Sequence, residues 1–293
     1  MHLDFGFHFV QVLWALSFAA LLVLEVILLG KDRARRFPLF AISIALVTLR
    51  LLTSRLLYGR LDPLKMNFIF LGLAVAISTA NLAVLVELAR RSFTGASRKA
   101  WLICSAAFLV ISGAVVAVWG LWPSWQTLAG HGTLSVLRFM QLYAQRADML
   151  ACMLAILLCL LVVFTGRRFG AGWRSHGLRL ILGVAVYAAA QLAARGVWQY
   201  IATHVVPHSR EEYENIVGLQ EKIYNGSSVV YIVVLLWWIF ALWQQDPNHP
   251  DPVVASAAPL DAALPAVEAP VVEAQPVLEA EVPPATEEDA EKL

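Results

Sequence analysis

The chain has 293 residues, is 59% hydrophobic and 15% charged, and its mean hydropathy of +0.68 excludes an ordinary soluble globular protein. The formal net charge of +1 conceals two unlike regions: residues 246–293 hold 11 acidic residues and one lysine, whereas residues 1–245 hold 21 Lys/Arg and 10 Asp/Glu. We therefore expect a basic body embedded in the lipid bilayer and an acidic segment after it, with no nucleic-acid partner.

Seven apolar stretches are each long enough to cross a bilayer, which requires about 20 residues in helical form. They cover about residues 9–30, 38–58, 66–89, 101–121, 148–165, 178–203 and 227–243. Because lipid offers no hydrogen bonds to the backbone, each stretch is predicted to be a helix. The predicted fold class is an all-α membrane protein, with a seven-transmembrane-helix bundle in residues 1–245.

The distribution of positive charge between the loops predicts the orientation of the bundle. The short loops after the first, third and fifth spans carry 12 basic residues, whereas the other loops carry seven over much longer segments. Because basic loops are retained on the cytoplasmic side, the N-terminus is predicted to lie outside and the C-terminus in the cytoplasm. The expected location is the plasma or inner membrane of the cell, with multiple crossings.

Two segments on the outer side are also predicted to be helical. No Gly or Pro interrupts the chain from Leu134 to Thr165, so the fifth helix is expected to project beyond the outer surface. Ser209 with Glu212 fits a capping box, in which a serine side chain caps a helix start and a glutamate three residues later reaches back. This pattern predicts a short acidic helix from about Arg210 to Tyr224, broken at Asn225-Gly226.

The last 48 residues, 246–293, are predicted to be a disordered tail. They hold nine of the 13 prolines, arranged with Ala, Val and Glu in a loose repeat without aromatic residues. Such a composition favours extended polyproline-II conformations over a packed core. The tail is either a solvated tether, which is the more common case, or a contact for a cytoplasmic protein.

Polar residues within the spans identify a candidate ligand site. A charged side chain in a membrane helix costs about 2.5–3.5 kcal/mol on insertion scales, so it usually faces the bundle interior and has a partner. The candidate ligand-binding residues all fall in the outer half or the middle of their helices: Arg50, Asn81, Gln141, Gln145, Asp148, Gln191, Arg195, Gln199 and Tyr231. They predict a polar cavity that opens outward and suits a small anionic ligand, because arginine binds carboxylate and phosphate groups.

A structural role for the same residues is the alternative. Arg195 then pairs with Asp148, and the glutamines hold neighbouring helices together. Glu25 and Glu87 lie near the inner ends of the first and third spans, where both could pair with basic loops. If the two carboxylates faced each other, a proton or cation relay would be conceivable.

The sequence predicts no cofactor and no catalytic residues. His204 and His208 are of a type that binds metal, but Pro207 interrupts their helix and zinc requires three or four ligands, so we do not expect a metal site there. The seventh span, residues 227–243, contains no lysine for a retinal Schiff base. No nucleophile–base spacing supports an enzyme activity.

Three functions fit these observations. The first is a receptor-like or regulatory membrane protein with an outward-facing cavity for a small anionic ligand. The second is a transporter or channel component, which requires a polar path to both faces of the membrane. The third is a purely structural or scaffold membrane protein. A polar cavity that opens only outward favours the first function, whereas a polar path to both faces favours the second.

Overall fold

A computed structural model describes residues 9–57, 60–93, 98–119, 132–165, 176–205 and 209–245. Helix accounts for 93% of these residues, and none of them belongs to a strand. The chain divides into two compact units, residues 1–251 and 252–293. The predicted disordered tail lies outside the described residues.

Eight helices, numbered here in chain order, make up the described part of the chain. They are α1 Phe9–Gly30, α2 Arg33–Arg36, α3 Pro38–Leu56, α4 Pro63–Ser92, α5 Arg98–Val118, α6 Thr133–Thr165, α7 His176–His204 and α8 Arg210–Trp243. Six of them, all except α2 and α5, are long and apolar enough to cross a membrane, and α5 contributes a shorter apolar helix, Leu102–Val118. The all-α class and a multi-pass membrane protein are thus confirmed.

The helix starts follow local sequence signals. α3 and α4 each begin at a proline, whose fixed φ suits the first turn of a helix. The Asp62 carboxylate accepts a hydrogen bond from the Leu64 amide at 3.3 Å, and Ser209 Oγ accepts one from the Glu212 amide at 3.1 Å. Ser209 therefore caps α8, as its sequence pattern predicts.

The predicted break at Asn225-Gly226 is wrong, because α8 continues through both residues as one helix of 34 residues. Each of these residues lowers helix stability by at most about 1 kcal/mol relative to alanine. A break would instead expose unpaired backbone groups next to the apolar stretch that follows, at a cost of several kcal/mol each. Ser227, the next residue, is already buried against the bundle, so packing holds the helix together there.

The six long helices form a closed ring. Around this ring α1 packs against α3, α3 against α4, α4 against α6, α6 against α7, α7 against α8, and α8 against α1. α5 lies outside the ring and packs against α6. The ring therefore encloses a central space. The contact between α1 and α8, the first and last of the six long helices along the chain, closes the ring.

One end of the ring, here called the basic end, is held together by hydrogen bonds from cationic side chains to Trp243 and Gln244, at the C-terminus of α8. Lys31 Nζ donates to Trp243 O at 2.5 Å, Arg33 Nη2 to Gln244 O at 3.4 Å, and Arg179 Nη1 to Gln244 Oε1 at 2.5 Å. The final carbonyls of a helix lack intrahelical partners and carry partial negative charge, which cations offset. Side chains exposed by 1% or less fill the ring next to this end: Leu24, Leu28, Leu88, Leu180, Leu235 and Leu242.

Candidate ligand cavity

A cavity of about 840 Å³ lies inside the ring and is lined by all six long helices. Eight of the nine residues predicted to bind a ligand line it: Arg50, Asn81, Gln141, Gln145, Asp148, Gln191, Arg195 and Tyr231. The structure thus brings together residues from α3, α4, α6, α7 and α8. Its volume falls within the range of about 300–1,000 Å³ typical of small-molecule sites.

Gln199 is the predicted residue that does not line this cavity. It lies instead along a separate crevice of about 650 Å³, together with Val115, Val118 and Trp119 of the α5 region and Gly196 of α7. Residues four apart in a helix are offset by about 40° around its axis, so two such steps amount to about 80°. Gln199 is therefore turned away from the face on which Gln191 sits, although each shares a face with the arginine between them.

The cavity changes in polarity along its length. The charged groups lie on the part of the wall far from the basic end, together with the apolar side chains Val10, Leu13, Phe70 and Leu71. The part nearest the basic end carries no charge and is mostly apolar: Phe40, Val84, Leu85, Ala155, Val184 and Trp238. Phe40 and Trp238 meet edge to face, with ring centroids 5.1 Å apart and planes at 88°. These two rings form the floor of the cavity, and the leucine-rich packing at the basic end lies beyond them.

Gly183 allows the floor to pack as closely as it does. A Cβ at this position would overlap the indole ring of Trp238, so the α7 backbone approaches the indole at a distance that only glycine permits. Trp238 is consequently 5% exposed. The floor is held by close packing of large rings against backbone, and the cavity ends there.

Arg195 and Asp148 form a direct ion pair on the cavity wall. Each side chain keeps 31% of its surface exposed, so the pair is not sealed from water. The structural alternative considered for these two residues is therefore what the geometry shows. Arg195 does not offer an unmatched positive charge to an anion, because Asp148 neutralises it.

Two further predicted residues are engaged in hydrogen bonds between polar side chains. Asn81 Oδ1 accepts a hydrogen bond from Ser43 Oγ at 2.8 Å, which joins α4 to α3. Gln191 Nε2 donates to the hydroxyl of Tyr187 at 2.8 Å. The Tyr187 ring in turn packs against Tyr231 of α8, with centroids 4.9 Å apart. These contacts hold the middle of the ring together.

Arg50, Gln141 and Gln145 are left available. Their side chains are exposed, line the cavity, and have no hydrogen-bond or ion-pair partner in the ranges that the structure describes. Since Arg195 is neutralised by Asp148, Arg50 is the source of the net positive charge on the described cavity wall. A guanidinium group supplies donors in a planar fork that matches the oxygens of a carboxylate or phosphate.

Helix α1 also lines the cavity, although the sequence did not predict that it would. Val10, Leu13, Trp14 and Ser17 of this helix line the wall. Trp14 and Ser17, three residues apart, are the most polar side chains of that apolar face, and their spacing was the available signal. Trp14 Nε1 of α1 and Ser227 Oγ of α8 are both buried, and neither has a hydrogen-bond partner among the described residues.

The remaining candidates lie apart from the cavity. Glu87 accepts a hydrogen bond from the Phe40 amide at 3.1 Å and pairs with Arg91 at 3.7 Å, so it caps the start of α3. Glu25 Oε1 is buried without a described partner, and no contact between Glu25 and Glu87 supports a relay. His204 Nδ1 lies 3.0 Å from Tyr200 O, whereas His208 lies outside the described residues.

No group of three or more potential metal ligands occurs within the described ranges. Comparison with known proteins finds no matching family model, no matching curated relative and no matching solved structure. The cavity is therefore the feature of the molecule that bears on its function.

Proposed function

We propose that the chain is a receptor-like or regulatory membrane protein with seven transmembrane helices, whose cavity faces outward and holds a small anionic ligand. The observation that carries this proposal is the 840 Å³ cavity, walled by six helices and closed at the basic end, with Arg50 on its wall and without a partner among the described residues. An unmatched arginine in a membrane bundle is costly and usually marks a functional site.

The course of the chain supports α5 as a seventh crossing. Ser92, at the end of α4, lies beside Gly177 at the start of α7, so α4 ends near the basic end. Arg146 of α6 donates to Val116 O at 3.1 Å and to Trp119 O, near the end of α5. The 21 residues of α5 therefore lead away from the basic end. A helix of that length spans about 31 Å, close to the thickness of the hydrocarbon core.

The charge distribution supports an outward-facing cavity. The basic end carries the loops with the highest density of Lys and Arg, which are retained in the cytoplasm. The charged part of the cavity wall lies toward the other end, where the long helices α6 and α8 also extend. With 33 and 34 residues, each is about 50 Å long and exceeds the hydrocarbon core by about 20 Å. In this orientation the plasma or inner membrane of the cell is the location we propose.

The closed floor supports a receptor-like role over transport. A transporter or channel component requires a polar path to both faces, whereas the apolar rings of Phe40 and Trp238 and the leucines beyond them fill the described part of the basic end. A bound ligand would act by changing how the six helices pack around it. In this proposal a cytoplasmic protein binds the acidic segment 246–293 and responds to the change in helix packing.

The test uses the full-length protein in lipid nanodiscs, with butanoate and inorganic phosphate as probes in calorimetric titrations. Arg50→Gln should weaken binding of whichever probe binds by about 10- to 100-fold, because hydrogen bonds to charged groups contribute about 1.5–3 kcal/mol. Arg55→Gln is the matched control, since Arg55 is an exposed arginine of the same helix that does not line the cavity. The proposal fails if neither these nor longer carboxylates bind in a manner that depends on Arg50.

A further inference from the structure

We infer that the ligand is a single-chain amphiphile with one negative charge, whose head lies at Arg50 and whose chain runs toward Trp238. This inference rests on the proposed function and makes the ligand class specific. It follows from three properties of the same cavity: its net charge, the change in polarity along its wall, and its length.

The net charge of the cavity sets the charge of the head group. Among the described residues, two arginines and one aspartate line the wall. The Arg195–Asp148 pair is neutral, which leaves one positive charge, at Arg50. A monoanion balances that charge, whereas the second charge of a dianion would have no positive partner among the described residues of the wall and would gain less from binding there.

The apolar part of the wall requires an apolar occupant. A small polar anion at Arg50 would leave the space above Phe40 and Trp238 either empty or filled with water. Water there would meet mostly carbon surface, and a stable buried water needs two to four polar partners. An alkyl chain covers the same surface and adds about 0.8 kcal/mol per buried methylene relative to water.

The length of the cavity sets the length of the chain. Phe40 and Arg50 are ten residues apart on α3, which corresponds to about 15 Å along the helix. An extended polypeptide covers about 3.3–3.6 Å with three backbone bonds, or about 1.2 Å per bond. Twelve bonds therefore cover about 15 Å, so a chain of roughly 10 to 14 carbons matches the separation of Arg50 and Phe40 along α3.

The experiment measures equilibrium dialysis of straight-chain carboxylates with 4, 8, 12 and 16 carbons against nanodiscs that contain the full-length protein. Empty nanodiscs of the same lipid are the reference, since long chains also enter the bilayer. Referred to the free aqueous concentration, affinity for the protein should rise about fourfold per methylene. The rise should stop near 12 carbons, whereas uptake by empty discs continues to rise. Dodecyl phosphate carries about 1.5–2 negative charges near pH 7. It should bind no more tightly than dodecanoate, and tighter binding would overturn the assignment of a singly charged head.

Two variants of the floor make the chain-length optimum a specific prediction. Val184→Phe narrows the apolar end and should shift the optimum to shorter chains by about two to four carbons. Trp238→Leu removes the floor ring and should shift the optimum to longer chains. General destabilisation of the bundle would not move the optimum in opposite directions. Arg50→Gln should weaken binding of every chain length by a similar factor, and Arg55→Gln should leave all of them unchanged.

The possible results separate this inference from the proposed function. If carboxylates of all lengths bind equally well and depend on Arg50, the cavity binds small anions and the amphiphile inference is overturned. If binding depends on chain length but not on Arg50, the assignment of the head group is overturned. If no carboxylate or phosphate of any length depends on Arg50, the proposed function falls together with the inference.

Discussion

Replacing Asp148 by Asn removes the carboxylate that neutralises Arg195 on the cavity wall. Both side chains are 31% exposed, so the pair lies between two measured cases. Fully exposed pairs contribute about 0.2–1 kcal/mol, and loss of one partner from a buried pair costs about 3–5 kcal/mol. We expect Asp148→Asn and Arg195→Gln each to lower the free energy of unfolding by about 1–3 kcal/mol. The double variant should lose less than the sum, because it leaves no charge unpaired.

The same substitution should strengthen anion binding, because it raises the net charge of the cavity from one to two. At an effective dielectric constant of about 20, a unit charge about 10 Å from an anion contributes about 1.7 kcal/mol, or roughly 15-fold in affinity, and less at greater distance. Asp148→Asn is therefore expected to make the protein less stable and the anion site tighter. Few substitutions with a purely structural effect would change both properties in these directions.

The assay combines thermal unfolding of the purified full-length protein in one detergent with calorimetric titration of dodecanoate. Glu214→Gln is the matched control, because it breaks an ion pair with Arg210 at 3.0 Å whose side chains are 64% and 93% exposed. That variant should change neither property measurably. Equal stability of Asp148→Asn and Glu214→Gln would show that water screens the cavity pair. A weaker anion affinity in Asp148→Asn would refute the charge balance assigned to the cavity.

Three further predictions concern packing, capping and orientation. Gly183→Ala should lower the unfolding free energy by about 1–3 kcal/mol, because the added methyl group overlaps the indole ring of Trp238. Gly196→Ala is the control and should have little effect, since the nearest atom to its added methyl group lies at 3.8 Å. Equal melting temperatures of the two variants would contradict this prediction. Ser209→Ala should cost about 1 kcal/mol and speed hydrogen exchange in the first turn of α8, and unchanged exchange would rule out the cap. In a cysteine-free background, a membrane-impermeant maleimide should label Arg60→Cys in intact cells but Lys99→Cys only after lysis, and the reverse pattern would invert the proposed orientation.

The helices themselves were largely predictable from the sequence, because each depends on local features. The absence of Gly and Pro from Leu134 to Thr165 predicted the long helix that begins at Thr133, and Ser209 with Glu212 predicted the start of α8. The error at Asn225-Gly226 has a definite cause: turn propensity is a local preference of about 1 kcal/mol. Burial of the following residues and the demand for backbone hydrogen bonds near lipid outweigh it.

The residues that line the cavity were predictable only where the spacing within a single helix determines which side chains face inward. The polar stripe of α6 puts Gln141, Gln145 and Asp148 on one wall, as helical spacing requires. Gln199 was assigned to the wall because the drift of 40° per four residues was neglected. Trp14 was missed because the contact between α1 and α8 closes the ring, and the spacing of Trp14 and Ser17 within α1 does not reveal that contact.

The two explanations of the polar residues, structural pairing and ligand binding, turn out to apply to different members of one set. Sequence spacing shows which side chains face inward, but not which of them meet a partner across the ring. Asp148 with Arg195 and Asn81 with Ser43 satisfy each other, so removal of either partner acts first on stability. Arg50 has no such partner among the described residues, and its loss leaves no polar group stranded. A substitution there should therefore change anion affinity with little change in stability, which is the property that separates a binding residue from a structural one.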